Sequence, residues 1–226
     1  MTGTVVFDLD GTLADTSSDL IAAANACFQA RGLGALLDPV ADALTAFRGG
    51  RAMLRAGYDR IGPDHLLPPD AEDEDFPRLL DHYAEAIAVH TRLYDGVEAA
   101  LDQLANDGFR LAVCTNKPEA LAETLLRELG IRGHFAGLIG ADTLPVRKPD
   151  PRPYRASVEA AGGNVAASFL VGDTETDRKT AAAAGVPVAL VAFGPEGEAI
   201  RRLAPEALLT HFSQLPALAR DWLRPR

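Results

Sequence analysis

Residues 4–13 read Thr-Val-Val-Phe-Asp-Leu-Asp-Gly-Thr-Leu. Four β-prone residues run straight into two acids and a glycine. The run from Thr4 to Phe7 predicts a short buried strand. Asp8 and Asp10 then stand at its C-terminal edge, which is where open α/β sheets bind ligands.

Moving outward, no strand pattern appears from Ser17 to about Val89. Helices are predicted over 19–31, with Ser17 or Ser18 as cap, and over 40–47, 52–61 and 76–90. The stretch 62–75, with its prolines and acids, reads as a surface loop, and 70–75 as solvated. After Tyr94 the pattern changes to alternation. Helices at 97–106, 118–129, 154–161 and 177–184 are interleaved with strands at 110–114, 138–140, 168–171 and 188–191. A last helix is predicted at 212–223. Such alternation argues βαβ units and a parallel sheet. The expected fold is α/β, a doubly wound parallel sheet interrupted by an all-helical insertion. The core covers 1–15 and 92–226, and the insertion covers 16–91.

At 226 residues the chain is one large domain, or one domain carrying a smaller one. The formal net charge of −10 argues against nucleic acid or an anionic membrane as partner. An anionic small molecule then needs positive charge concentrated locally. Two cysteines, Cys27 and Cys114, exclude a disulfide scaffold and read as buried thiols. No apolar run approaches the roughly 18–20 residues that span a bilayer. The sequence opens into a strand without a basic leader. A cytoplasmic protein, monomer or homodimer, is expected.

The strand ends carry the chemistry. Asp8 and Asp10 follow the first strand, Thr115 and Asn116 the next, and Asp173 and Asp177 the one at 168–171. Lys148 lies in the loop before the helix at 154. In a parallel sheet these edges face one way, so the residues converge. Clustered carboxylates are stable as anions around a cation, and hard oxygen ligands suit Mg²⁺. Metal, lysine, hydroxyl and backbone amides around one point make a site for phosphoryl oxygens. A screened carboxylate there can attack as a nucleophile. A second one, two residues on, can reach the leaving oxygen as general acid.

These motifs resemble those of the haloacid dehalogenase-like superfamily. Asp8-x-Asp10-Gly11-Thr12-Leu13-x-Asp15-Thr16 is similar to its first motif and Cys114-Thr115-Asn116-Lys117-Pro118 to its second. Lys148-Pro149-x-Pro151-x-Pro153 is similar to the third and Gly172-Asp173-x-x-x-Asp177 to the fourth. The helical insertion resembles the family's small cap, and the stretch from Tyr94 to Pro118 looks most like the phosphoglycolate phosphatase branch. The resemblance implies a Mg²⁺-dependent phosphomonoester hydrolase of a small anionic metabolite. Asp8 would be the nucleophile that forms an aspartyl-phosphate. Asp10 would be the acid and then the base, with its backbone carbonyl on the metal. Thr115 and Lys148 would hold the phosphoryl group, with the amides of Leu9 and Asn116 as donors. Asp8, Asp10 and Asp173 would hold the metal, with Asp177 in the outer shell or orienting Lys148. The loop Arg48-Gly49-Gly50-Arg51 matches the family's substrate-selecting loop in place, so Arg48, Gly49 and Arg51 are candidate substrate contacts. As plain residues the two arginines read as surface cations.

Where the branch has a proline between Tyr94 and Gly96, this chain has Asp95, a candidate cap for the next helix. Asp15-Thr16 reads as a helix cap, and the five histidines lack ligand spacing. A sugar phosphomutase shares the first motif but usually lacks an acid at the position of Asp177. Dehalogenation needs neither the metal nor Asp10. A receiver-type signalling domain needs only about 120 residues and no insertion. A dead binding module would have lost a motif, and none is missing.

Overall fold

In the computed structural model β1 (Thr4–Phe7) is central in a six-stranded sheet; residues 3–61 and 67–223 are described. In chain order there follow β2 (Ala14–Asp15), α1 (Ser17–Ala30), α2 (Ala43–Ala46), α3 (Gly50–Tyr58), α4 (Ala71–Glu85), β3 (Arg92–Leu93), α5 (Val97–Asn106) and β4 (Arg110–Cys114). Then come α6 (Glu119–Glu128), β5 (Gly137–Ile139), α7 (Pro151–Ala160), β6 (Ser168–Gly172), α8 (Glu175–Ala184), β7 (Val188–Val191), β8 (Ala207–Leu209) and α9 (Leu215–Leu223). The chain divides into two units, Met1–Asp15 with Leu93–Arg226, and Thr16–Arg92.

The first unit holds the sheet, in the order β5-β4-β1-β6-β7-β8. Every ladder is parallel, with Phe7 level with Val113 on one side and Val171 on the other. Counting only these six strands, the order is 3-2-1-4-5-6, a doubly wound sheet. Winding runs from β1 outward through β4 and β5, then returns to β6 and continues the other way. The reversal opens a crevice at the C-terminal ends of β1 and β6, so topology alone locates the ligand site. Strands buried on both faces need unbroken apolar runs. All four residues of β1 and of β7 are buried, as are Leu111–Cys114 of β4. Helices flank the sheet, α7 against β4, β5 and β1, and α8 against β6 and β7. Within this unit the Tyr94 amide donates to the Leu13 carbonyl at 3.1 Å, so the chain leaves and re-enters the unit at neighbouring points.

The second unit is helical. α1 and α3 both pack on α4, and α2 packs on α1 and α3. Its interior is built from Ile21, Cys27, Phe28, Met53, Leu54, Leu79 and Tyr83. Phe28 and Tyr58 meet edge to face at 5.2 Å. Asp19 accepts from the His90 and Thr91 amides and the Thr91 hydroxyl, which ties α1 to the last segment of the unit.

Several expectations are corrected. α4 begins at Ala71, so the predicted loop is helical from there on, while 62–66 lie outside the described residues. Asp75 is buried rather than solvated, because Arg31, Arg78 and the Tyr58 hydroxyl all donate to it. Pro77 sits inside α4 without preventing the helix. The predicted second helix shrinks to the single turn of α2. Thr16, not Ser17 or Ser18, precedes α1, and it makes no side-chain cap bond. Gly96, in the left-handed conformation, precedes α5, so Asp95 does not cap it. The final helix splits into a 3₁₀ turn, Phe212–Gln214, and α9. The sheet also gains an edge strand, β8, that the sequence reading lacked.

Candidate active site

Asp8 is the first residue past β1, and its amide is held by the Val171 carbonyl of β6 at 2.9 Å. Its carboxylate is buried, with Oδ1 3.0 Å from Lys148 Nζ. That is an ion-pair distance without hydrogen-bond geometry, and Oδ1 accepts no hydrogen bond among the described residues. Lys148 donates instead to Asp177 Oδ1 at 2.7 Å. Asp177 is fully buried in the first turn of α8. Its Oδ2 accepts from the Asp173 and Thr174 amides and the Thr174 hydroxyl, a reciprocal capping box. Both oxygens are therefore committed, which suits a residue that orients Lys148. Gly172 permits this arrangement, since a Cβ there would overlap the Asp177 carboxyl.

Asp173 follows β6 and accepts the Thr12 hydroxyl at 2.8 Å. One carboxylate oxygen each from Asp8, Asp173 and Asp177 lies within 4.8 Å of the others, a group able to hold a metal ion. Asp10 keeps its carboxylate elsewhere, 2.9 Å from Lys117 Nζ. Thr115 is buried after β4, and its hydroxyl accepts the Lys117 amide at 3.1 Å. Asn116 is exposed, and its amide donates to the Lys148 carbonyl at 3.1 Å.

The electrostatics follow from burial. Desolvation pushes Asp8 up to about 6, with Asp177 and Asp10 adding and Lys148 opposing. Asp173 is raised well above the usual carboxylate range by burial, then by Asp177 and Asp8. Burial works against the charge on Lys148, but Asp177 and Asp8 outweigh it and hold the ammonium protonated. Among the described residues, the ion pairs of Asp8, Asp10 and Asp177 run to two ammonium groups, those of Lys117 and Lys148, against four carboxylates with Asp173. The charge left over matches a divalent cation.

The core residues picked from the sequence thus stand together at one sheet edge. In the second unit, Gly49 precedes α3 with φ 95° and ψ 165°, a conformation that only glycine adopts readily. Arg51 is engaged inside that unit, 2.6 Å from Asp73 and 3.4 Å from Glu72, with its guanidinium 4.6 Å from the centre of the Phe76 ring. Arg48 is exposed. Sequence reasoning quoted Lys117 and Thr12 within motifs but gave them no role. The signal for Lys117 was available, because a second acid at one strand end needs its own counter-charge.

A fold and site of this kind define a phosphoryl-handling α/β hydrolase. A family model described as haloacid dehalogenase-like hydrolase matches residues 2–185, and the chain belongs to that family. A Mesorhizobium japonicum protein named phosphoglycolate phosphatase is 38% identical over 211 residues, covering 93% of this chain and 92% of its own. A relative of the same name from Caulobacter vibrioides is 38% identical over 216 residues, covering 94% and 89%. A Haemophilus somnus crystal structure, titled as a predicted phosphoglycolate phosphatase, superposes with a TM-score of 0.85 at 25% identity, covering 96% and 97%. This chain is an enzyme, a phosphatase similar to those relatives.

Proposed function

We propose that this enzyme hydrolyses the phosphomonoester of a small anionic metabolite, with 2-phosphoglycolate the first candidate, through an aspartyl-phosphate on Asp8. The observation that carries the reading is the buried Asp8 carboxylate at the switch point, whose Oδ1 accepts no hydrogen bond among the described residues, beside Lys148 and Asp173. The names of the relatives supply the candidate substrate.

In the first step a carboxylate oxygen of Asp8 forms a bond to phosphorus as the ester P–O bond breaks. The electron pair leaves on the ester oxygen, which takes a proton from the Asp10 carboxyl. In the second, Asp10 takes a proton from water as the water oxygen attacks phosphorus. The bond to Asp8 then breaks, releasing inorganic phosphate. Lys148, the Thr115 hydroxyl and loop amides hold the phosphoryl oxygens, and Asp177 holds Lys148 in place.

The site fits a divalent ion. The donors are hard oxygens, Asp8 Oδ1 is buried without a hydrogen bond, and carboxylates outnumber ammonium groups. Asp8, Asp173 and the Asp10 carbonyl would hold Mg²⁺, with Asp177 behind them. Bound there, it would neutralise the phosphoryl oxygens and keep Asp8 anionic. The two free, buried thiols, Cys27 and Cys114, are in keeping with the cytoplasm.

The test is a panel of phosphomonoesters assayed for phosphate release with Mg²⁺. Preference for 2-phosphoglycolate over neutral sugar phosphates supports the reading. Release from none of them, or interconversion of sugar phosphates without release, overturns it.

A further inference from the structure

Two aspartates stand two residues apart at one strand end, and each has its own lysine. Lys148 lies 3.0 Å from Asp8, and Lys117 lies 2.9 Å from Asp10. The Lys117 side chain is only 4% exposed and that of Asp10 18%. Burying an ammonium is costly, and an apolar side chain would fill the same space at lower cost. The backbone of Lys117 is fixed on both sides. Its amide donates to Thr115 Oγ1 at 3.1 Å, and its carbonyl accepts the Ala141 amide at 2.9 Å. Asp10 is fixed as well, by a bridge to Ala14 and by the Gly11 amide on the Ala14 carbonyl at 2.9 Å. The ammonium therefore reaches the carboxylate from an anchored loop at the end of the neighbouring strand.

We infer that Lys117 is a positioning residue for Asp10, and that it separates the work of the two aspartates. It holds Asp10 through one carboxylate oxygen, Oδ1, in the orientation from which the carboxyl handles its proton. When that proton passes to the ester oxygen, the remaining carboxylate keeps its charge partner at hydrogen-bond distance. The same contact keeps Asp10 in place to take the proton from water in the second step. Lys148 does none of this, since its partners are Asp8 and Asp177. The inference rests on the aspartyl-phosphate reading given above.

The test uses Lys117→Met, with Lys117→Gln beside it because Gln keeps a donor should Met fail to fold. Rapid-mixing kinetics are followed on 2-phosphoglycolate, whose alkoxide must be protonated to leave, and on 4-nitrophenyl phosphate, whose phenolate leaves unaided. Phosphorylation by the alkyl ester should slow by about 100-fold or more, the usual worth of a positioned general acid. Nitrophenolate should still appear in a fast burst of one equivalent per enzyme, within about threefold of the wild-type rate. Slow turnover should follow, because loss of the positioned base strands the phosphoenzyme. Equal slowing of both substrates in the first phase, or wild-type turnover, would overturn the role of Lys117. Asp8→Asn is run in parallel. If it retains turnover, the covalent reading itself is wrong. If it is inactive while Lys117→Met slows both esters alike, only the positioning role fails.

Discussion

At the residue scale, Asp8 carries the sharpest prediction. Asp8→Asn keeps the size of the side chain and removes the nucleophile, so turnover should fall by at least about 10³-fold. Melting should stay cooperative, since the change also relieves a crowded set of buried acids. Retention of more than a tenth of wild-type phosphate release would falsify the assignment. Gly172 makes a subtler case. The Asp177 carboxyl occupies the space a Cβ would need, so Gly172→Ala should displace Asp177 and with it Lys148. Steady-state assays should show a kcat loss of about 10-fold or more, with the far-ultraviolet spectrum unchanged. A fully active variant would show that the position of Asp177 is not what holds Lys148. That Asp8, Asp10, Thr115, Lys148, Asp173 and Asp177 meet at one edge was legible in the sequence, not from any one of them, since each alone reads as a cap or loop residue, but from their recurrence at the strand ends of a parallel sheet. Lys117 could have been sought as well, since a second acid at one strand end needs its own counter-charge, but which lysine supplies it is decided across the gap between two strands.

At the element scale, the contrast between α4 and β1 shows what sequence can carry. β1 was read to the residue because an unbroken apolar run has one interpretation in a parallel sheet. The start of α4 reads as a loop because the run of acids from Asp70 to Asp75 directly follows Pro68 and Pro69. What overrides that impression is tertiary. Arg31 Nε and Nη2 reach Asp75 at 2.6 and 2.9 Å, Arg78 at 2.8 Å, and the Tyr58 hydroxyl completes the set. Likewise β8 is three residues long and pairs only with β7, too little periodicity to detect.

The Asp75 cluster predicts a pH dependence. Burial tends to raise its pKa, but hydrogen bonds from Arg31 and Tyr58 prevail and hold it below the ordinary 3.8. A carboxyl depressed in the folded state adds stability in full above its unfolded pKa and loses it as pH falls through the folded value. Asp75→Asn should therefore melt lower than wild type at pH 7, by the worth of a charged hydrogen bond, about 1.5–3 kcal/mol. The gap should close as the pH falls below about 4. Calorimetry across pH 7 to 3 reads this directly, and a gap that widens in acid would contradict it.

At the scale of the whole molecule, the excess of buried carboxylates predicts a dependence on cation. Mg²⁺ should raise the Tm, as any ligand of the folded state alone does. That rise should be lost in Asp173→Asn. An undiminished rise in the variant would place the ion elsewhere. The second unit offers a paired comparison. Arg51 is tied to Asp73, Glu72 and Phe76, so Arg51→Ala should lower the Tm and affect all substrates alike. Arg48 is exposed, and if the loop inspects substrate, Arg48→Ala should weaken kcat/KM for an anionic metabolite about 10–150-fold. An aryl phosphate should change less than about threefold. Equal losses on both substrates would return Arg48 to a structural role.

The central place of β1 has a consequence for how the protein comes into being. Thr4–Phe7 is made well before either of its partner strands, since Phe7 stands level with Val113 on one side and Val171 on the other. During synthesis at about 5–20 residues per second, the second flank of β1 emerges from the ribosome roughly 8–33 s after the strand itself. For that interval an unbroken apolar segment of the nascent chain has an open edge, as long-range parallel pairing requires. The strand that carries the nucleophile thus waits with that edge uncovered, and the site stays incomplete until Asp173 and Asp177, which follow β6, have been translated.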